Sequence, residues 1–536
     1  MKKWGPLVIL AAAQFVMVLD QAVMNVSISQ LVDDFDTTVT TIQGVITLYS
    51  LVMAMFMVTG GKIGDLIGRR RAFTIGLVIY GCGSAMTAAA PTVPVLALGW
   101  SILEGVGAAL VLPALAALVA GNYEGRDRAA AYAVIGGVAG AGIAVGPILG
   151  GWATTELTWR VVFIGEVVLV VGILAGMRLL TDAPGPERRP HLDYVGAVLS
   201  AAGLGLMVYG VLQASIWGWV EPKDSPVEPF GFALTPFVVL AGAVVLWVFV
   251  RWQRHRVARG TDPLVHLELF RVRPLRAGLQ ALLSQNLILM GVFFTIPLYL
   301  QLVLGFDALE TGIKMLPVSI AMFLASVAGS RLALKLPTRM IVRIGLLVIV
   351  VSVVLLLWTI QPSLRGAGFA TAMALLGLGM GLIASQLGNV VQSSVDASGR
   401  SEAGGLQYTA QQLGSAVGVA LIGAIVLSGL ASTFIEKVSN DPRISDEVAG
   451  EVGVAAHGDL SFVASDEVEN AVEGAGVDPT EAEAIVENYE DAQIVALKAG
   501  LLASGFIAVG ALLATTGLPH RRPDRDADER AGSMDP

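Results

Sequence analysis

Long apolar runs recur along almost the whole chain and are separated by short polar connections. A helix that crosses a bilayer needs about 20 mostly apolar residues, and we find fourteen such segments. Their approximate centres are Val18, Met53, Ile79, Leu110, Ala144, Val170, Met207, Ala241, Met290, Phe323, Ile349, Leu376, Val417 and Phe506. The pattern predicts an all-α integral membrane protein with 14 transmembrane helices.

Composition and charge support this fold class. Only 14% of the 536 residues are charged, whereas about a quarter of the residues of a soluble protein are. Cys82 is the single cysteine, which excludes an internal disulfide and a cysteine metal site within the chain. The five histidines all fall in polar connections, so a proton carrier inside the membrane has to be a carboxylate.

The distribution of Lys and Arg predicts the orientation, because cytoplasmic loops are enriched in both. With the N-terminus inside, all but seven of the 34 basic residues face the cytoplasm. The exceptions are Arg160, Lys223, Lys314, Arg365, Lys437, Arg443 and Lys498. We therefore expect both termini in the cytoplasm.

Two stretches of small residues stand out. The connection between the second and third spans reads GGKIGDLIGRRR. Its glycines allow close helix approach and a positive φ, and its aspartate can cap the next helix or pair with an arginine of a neighbour. The fifth span contains GIAVGPILGG, where small residues permit tight packing and the proline kinks the helix. The residues singled out are Gly61, Gly64, Asp65, Gly68, Arg69, Arg70 and Arg71 in the loop, and Gly142, Gly146, Pro147, Gly150 and Gly151 in the span.

These stretches carry a resemblance. The loop resembles the signature loop of the major facilitator superfamily, and the fifth span resembles its antiporter motif. The first span, with LDQAVMNVSIS, and the thirteenth, with TAQQLGSAVGVALIG, resemble the fourteen-span drug:proton antiporter branch. The resemblance implies two six-helix bundles with a substrate path between them, and two extra helices. It also implies that the fifth-span motif acts as a hinge or gate between the bundles, unless it serves ordinary packing.

The implied organisation divides the chain into four parts. Residues 1–181 form the first six-helix bundle, and 182–274 a linker with the two additional helices. Residues 275–518 form the second bundle, and 519–536 a disordered cytoplasmic tail. The second bundle includes an external loop at about 431–491 that holds 16 of the 43 acidic residues. This loop is expected to be a solvated cap, partly helical or disordered, or else an attractor of cations.

Three acids fall inside predicted spans: Asp20, Glu104 and Glu166. The family usually has an arginine where this chain has Ser101, and uncharged amides in place of the two glutamates. A carboxylate in the membrane costs at least a few kcal/mol unless it is paired, protonated or hydrated. A cluster of acids without arginine is expected to hold a proton near neutral pH, so that proton and substrate compete for one negative site.

Each acid also has a structural alternative. Asp20 could cap a break in its helix, Glu104 could pair with Lys314, and Glu166 could face external water. Aromatic residues such as Tyr49 and Trp100 could line an apolar cavity or pack against neighbouring helices. The remaining residues predicted to line the cavity are polar, namely Asn25, Ser101, Gln285, Asn286, Lys314, Gln386, Gln411 and Gln412.

The resulting functional hypothesis is proton-coupled export of amphipathic drugs or metabolites, cationic or neutral, across the bacterial cytoplasmic membrane. Export of lipids or cell-envelope precursors on the same fold is an alternative, and a transport-inactive sensor or membrane enzyme is a more remote one. The chain has no GxxxxGK[ST] loop, HExxH or GxSxG motif, so we expect no enzymatic activity and no nucleotide partner. We also expect a monomer in the bilayer, with no cofactor and no nucleic-acid partner, driven by the proton gradient.

Overall fold

The computed structural model describes residues 4–123, 125–181, 191–333, 335–364, 366–395, 400–459 and 462–519. Helices account for nearly all of these ranges, and the ranges contain no strand. The α-helices are α1 (Gly5–Val26), α2 (Ile28–Phe35), α3 (Val39–Ile67), α4 (Arg69–Ala88), α5 (Val93–Leu96), α6 (Gly105–Asn122), α7 (Gly125–Glu156), α8 (Arg160–Gly176), α9 (Tyr194–Trp217), α10 (Thr235–Ala258), α11 (Arg273–Leu298), α12 (Ala308–Leu332), α13 (Thr338–Thr359), α14 (Gly366–Ser393), α15 (Arg400–Asn440), α16 (Asp446–Asp459), α17 (Ser465–Gly474) and α18 (Pro479–Ala514).

Every predicted span centre lies in a helix, which confirms the fold class. Within the described ranges, 13 helices are long and apolar enough to cross a membrane. One predicted span, the third along the chain, is missing from that set and corresponds to α4. This helix is less apolar because it begins with three arginines and contains several Gly, Ser and Thr residues. It nevertheless packs against α6 and α8 and belongs to the bundle.

Packing groups the helices into two halves. Helices α1, α3, α4, α6, α7 and α8 pack together, as do α11–α15 with α18, and the halves meet where α3 lies against α15 and α7 against α12. The additional helices α9 and α10 pack on each other, and α9 rests on α3 and α15. The predicted linker at 182–190 and the tail beyond 519 fall outside the described residues.

The predicted acidic loop is a folded cap. Helices α15 and α18 extend beyond their apolar segments, and α16 and α17 lie between them. Tyr489 and Phe462 are fully buried there, and Arg443 binds Asp441 and Glu487 at 2.8 and 2.7 Å. The described part of the cap is therefore helical. Of the two states expected for a solvated cap, partly helical or disordered, the structure shows the helical one.

The turn between α3 and α4 matches part of its prediction. Gly68 has a φ of +98°, a conformation that favours glycine. The tight helix approach lies at Gly60, where a Cβ would sit 2.2 Å from the Ala109 carbonyl oxygen, and Gly61 and Gly64 make only ordinary contacts. Asp65 pairs with Arg69 at 3.4 Å, whereas α4 has no side-chain cap, so the capping alternative is wrong.

The two ends of the bundle differ in charge: the α3–α4 turn with its arginines lies at the basic face, and the helical cap forms the acidic face.

Candidate functional site

The three membrane acids meet inside the first half. Asp20 projects from α1, Glu104 ends a π-helical turn at Ala97–Glu104 that leads into α6, and Glu166 projects from α8. One carboxylate oxygen from each lies within 4.8 Å of the others, and the residues are 0%, 0% and 1% exposed. The prediction that Glu166 could face external water is therefore wrong.

Each carboxylate accepts hydrogen bonds on one oxygen, from donors that all belong to the first half. The bonds are Trp100 Nε1 to Asp20 Oδ1 (2.7 Å), Thr87 Oγ1 to Glu104 Oε1 (3.2 Å), Tyr80 Oη to Glu166 Oε2 (3.1 Å) and Ser84 Oγ to Glu166 Oε2 (3.2 Å). Three of these donors come from α4, in which the sequence analysis singled out only the arginines at its start, Arg69 to Arg71. A polar residue on every third or fourth position of α4, from Tyr80 to Thr87, is the signal that could have revealed them.

The second oxygen of each carboxylate is open. Asp20 Oδ2, Glu104 Oε2 and Glu166 Oε1 are buried and have no hydrogen-bond partner. No ion pair among the described residues reaches the cluster. An ionised carboxylate in such a place is strongly disfavoured, so the cluster requires protons or another cation.

Glycine and the π-helical turn bring the donors within reach. A Cβ at Gly83 would lie 2.6 Å from Glu104 Cγ, and one at Gly99 would lie 2.8 Å from Thr87 Oγ1. Only glycine permits α4 and the turn to approach this closely. The wider π-helical turn shifts the residues that follow it, and π-helical segments are frequent at functional sites.

Ser101 does not replace the family's arginine with another charge. It is fully buried, and its hydroxyl donates to the Val45 carbonyl at 2.7 Å. This bond ties the π-helical turn to α3 within the first half. The serine therefore leaves the acids without the basic partner that the family resemblance would supply, and it does not line a path between the halves.

The fifth-span motif faces in two directions. Gly142, Gly146 and Gly150 pack on α1, where a Cβ at Gly146 would lie 2.3 Å from Ala22 Cβ. Gly151 instead faces the second half, where its Cβ would lie 2.3 Å from the Ala308 carbonyl oxygen. A Cβ at Gly312 of α12 would likewise lie 2.2 Å from the carbonyl oxygen of Pro147. One helix thus touches both the helix of Asp20 and the opposite half.

Amide side chains make further contacts between the halves. Gln301 donates to the Val26 carbonyl at 2.8 Å and accepts from Ser29 at 2.6 Å. Gln43 donates to the Val419 carbonyl at 2.9 Å. Neither glutamine was singled out in the sequence analysis, because an amide in an apolar helix does not reveal which neighbour it faces.

The predicted cavity residues have different environments. Gln412 accepts from Gln21 across the interface at 3.3 Å, and Gln411 beside it is half-buried. Gln285 and Gln386 donate to backbone carbonyls inside the second half, and Asn25 and Asn286 donate to carbonyls of their own helices. Lys314 lies with its Nζ 5.5 Å from the centre of the Phe306 ring and forms no described ion pair with Glu104, so that alternative is wrong.

Near the basic face, His266 binds Glu402 at the start of α15. Its Nδ1 lies 2.8 Å from Glu402 Oε2, and hydrogen bonding to this carboxylate raises the pKa of His266. A raised pKa means that the pair stabilises the fold below about pH 6.5, the ordinary histidine value, and that this stabilisation is lost as the pH rises through the raised pKa.

We expect His266→Ala to lower the free energy of unfolding by less than about 1 kcal/mol at pH 6, because the imidazole is half-exposed. At pH 9 the variant and the wild type should unfold alike. Thermal unfolding of the purified protein at both pH values measures the difference, with His191→Ala as the control. A loss of the same size at both pH values would contradict an ionic contribution.

Comparison with known proteins adds to this geometry. The family model described as Major Facilitator Superfamily matches residues 10–419. The Tetracenomycin C resistance and export protein of Streptomyces glaucescens is 28% identical over 462 residues, covering 85% of this chain and 82% of that protein. The Multidrug efflux pump LfrA of Mycolicibacterium smegmatis is 28% identical over 457 residues, covering 85% and 87%.

A solved structure shares the fold. A bacterial homologue of the human lysosomal transporter Spinster, in an inward-facing and unoccupied conformation, superposes with a TM-score of 0.61 at 12% identity, covering 96% of this chain and 98% of that one. This likeness shows the fold, and the family match identifies the protein as a transporter. The chain belongs to the Major Facilitator Superfamily.

Proposed function

We propose that the protein exports amphipathic drugs or metabolites, cationic or neutral, in exchange for protons. It does so by alternating access in the bacterial cytoplasmic membrane, with the basic face and both termini in the cytoplasm and the acidic face outside. The observation that carries the proposal is the buried cluster of Asp20, Glu104 and Glu166, which has open oxygens and forms no ion pair with a basic residue in the described part of the chain. The similarity to resistance and efflux proteins supports the choice of cargo.

The neighbouring residues Asp20 and Gln21 separate the proton from the cargo. Asp20 points into the first half, where Trp100 binds it, whereas Gln21 points across the interface to Gln412. A substrate between the halves would thus meet amide groups rather than the carboxylates. Proton and cargo therefore do not compete for one negative site, and their movements are coupled through the packing of the helices.

The coupling follows from desolvation. With the halves in contact at the acidic face, the cluster is dry, and a proton that left it would leave behind a buried charge. Deprotonation therefore favours a conformation in which water reaches the cluster. A movement of α1 that admits water is transmitted to α7 through Gly142, Gly146 and Gly150, and from α7 to α12 through Pro147 and Gly151.

The test is transport in proteoliposomes under an imposed pH gradient, with a labelled amphipathic cation and an uncharged analogue of similar size. We expect both compounds to be transported while protons move in the opposite direction. A pH gradient that drives transport of neither compound would overturn the proposal. Glu104→Gln should lower transport of the two compounds to the same extent, because the cluster does not contact the cargo. Glu310→Gln, at an exposed position of α12, is the control. A loss confined to the cation would show that Glu104 contacts the substrate.

A further inference from the structure

We propose that the seam between the halves, where α15 lies against α3 and reaches Gln21 of α1, selects cargo that donates hydrogen bonds. The open side-chain oxygens of Asn25 and Gln43 accept these bonds from phenols, alcohols or protonated amines. The inference rests on the proposed export function and narrows its cargo to compounds with an accessible O–H or N–H group. Quaternary ammonium compounds and ethers that lack such a hydrogen should be poor cargo.

Gln43 of α3 presents an open oxygen to the second half. The residue is fully buried, and its Nε2 donates across the seam to the carbonyls of Val419 and Ala420 at 2.9 and 3.4 Å. These two bonds identify the remaining amide atom as the oxygen. This Oε1 has no hydrogen-bond partner in the described part of the chain, and a Cβ at Gly423 would lie 3.1 Å from it. The open acceptor therefore faces α15.

Asn25 of α1 presents a second open oxygen. It is 2% exposed, and its Nδ2 donates to the carbonyl of Gln21 at 2.7 Å, which leaves Oδ1 as the atom without a described partner. Residues four apart lie on the same side of a helix, and Gln21 reaches across the seam to Gln412. The carbonyl of Val26, the next residue, accepts from Gln301 of the second half. Contacts with the second half thus flank Asn25 on both sides.

The two acceptors belong to one short stretch of the seam. Gln21 and Gln43 contact α15 at Gln412 and Val419, positions whose separation in the helix is about 10 Å. Thr47 lies one turn from Gln43 on the same side of α3, and it adds a buried hydroxyl that has no partner in the described residues. The length of this stretch suits a small aromatic molecule held between the halves.

The open oxygens favour a donor for a physical reason. Buried polar atoms in proteins are nearly always hydrogen-bonded, so each open acceptor destabilises the closed seam. A donor on a cargo between parted halves would satisfy the acceptor, whereas a cargo without a donor would leave it buried and unpaired, which lowers affinity by about 5–150-fold. An amide oxygen carries no net charge, so the selection depends on the donor hydrogen more than on positive charge.

Two cations that differ in one donor group test this selection. The labelled probes are meta-hydroxyphenyl-trimethylammonium and its methyl ether, which have the same fixed charge and nearly the same size. In proteoliposomes that contain the full-length protein under an imposed pH gradient, the hydroxyl compound should be transported at least about 5-fold more efficiently. Equal transport of the two compounds would overturn the inference and leave the proposed export function standing. Transport of neither compound would overturn both.

Variants assign the preference to the seam. Gln43→Met and Asn25→Leu nearly conserve side-chain volume and remove the open oxygens, so each should bring transport of the two compounds closer to equality. Gln493→Met is the matched control, because Gln493 is also fully buried, with its Nε2 bonded to the Val463 carbonyl of the cap and its Oε1 open. This control should keep the wild-type preference. A preference that survives both seam variants, or that Gln493→Met also abolishes, would place the selection elsewhere.

Discussion

Asp20→Asn should reduce export driven by a pH gradient to the level of protein-free liposomes. The amide has nearly the size of the carboxyl and can still accept the indole hydrogen bond of Trp100 at its oxygen. It cannot take up or release a proton, and it relieves the repulsion from Glu104 and Glu166. We therefore expect a folded protein, with a thermal unfolding temperature equal to or above that of the wild type, that has lost its coupling.

The measurement separates coupling from transport as such. Substrate uptake into proteoliposomes is followed with a pH gradient and, separately, down a substrate gradient at equal pH. The variant should fail in the first assay and retain movement in the second. Asp33→Asn, at an exposed position on α2, is the matched control and should behave as the wild type. Normal gradient-driven export by Asp20→Asn would place the proton carrier elsewhere.

Gly151→Ala should weaken the contact that closes the acidic face. The added Cβ would lie 2.3 Å from the Ala308 carbonyl oxygen, and because that neighbour is backbone, no side-chain rotation relieves the clash. Overpacking of this kind costs about 1–3 kcal/mol. Applied to one of two conformations, that cost shifts their ratio by about 5–150-fold. Gly312→Ala meets the Pro147 carbonyl oxygen at 2.2 Å and should act in the same direction.

Hydrogen exchange reports this shift directly. Amides near Gly151 of α7 and near Ala308 of α12 should exchange faster in both variants, while those around the Glu104 cluster should change less, and export should fall. Gly136→Ala is the matched control on the same helix, because a Cβ there meets nothing within 4 Å. If Gly151→Ala exchanges and transports like Gly136→Ala, the α7–α12 contact does not set the conformational equilibrium.

Features that depend on a few consecutive residues were predictable from the sequence. The bilayer demands about 20 apolar residues per helix, so each of the fourteen helices, from α1 to α18, could be placed from its own residues. The positive φ at Gly68 followed from its position in a tight turn. The three acids stood out because a carboxylate inside an apolar span is costly wherever it points.

The partners of those acids were decided by tertiary structure alone. Successive residues of a helix point about 100° apart, so a sequence does not reveal that Asp20 turns inward to Trp100 while Gln21 turns to the opposite half. The same uncertainty left open whether Glu104 met Lys314 or the other acids. The packing of α4 against the π-helical turn, made possible by Gly83 and Gly99, resolved the question. The sequence determined that carboxyl groups had to lie inside the membrane spans of this protein; only the rotation and approach of its helices determined that the three share one buried site, which no ion pair of the described residues reaches.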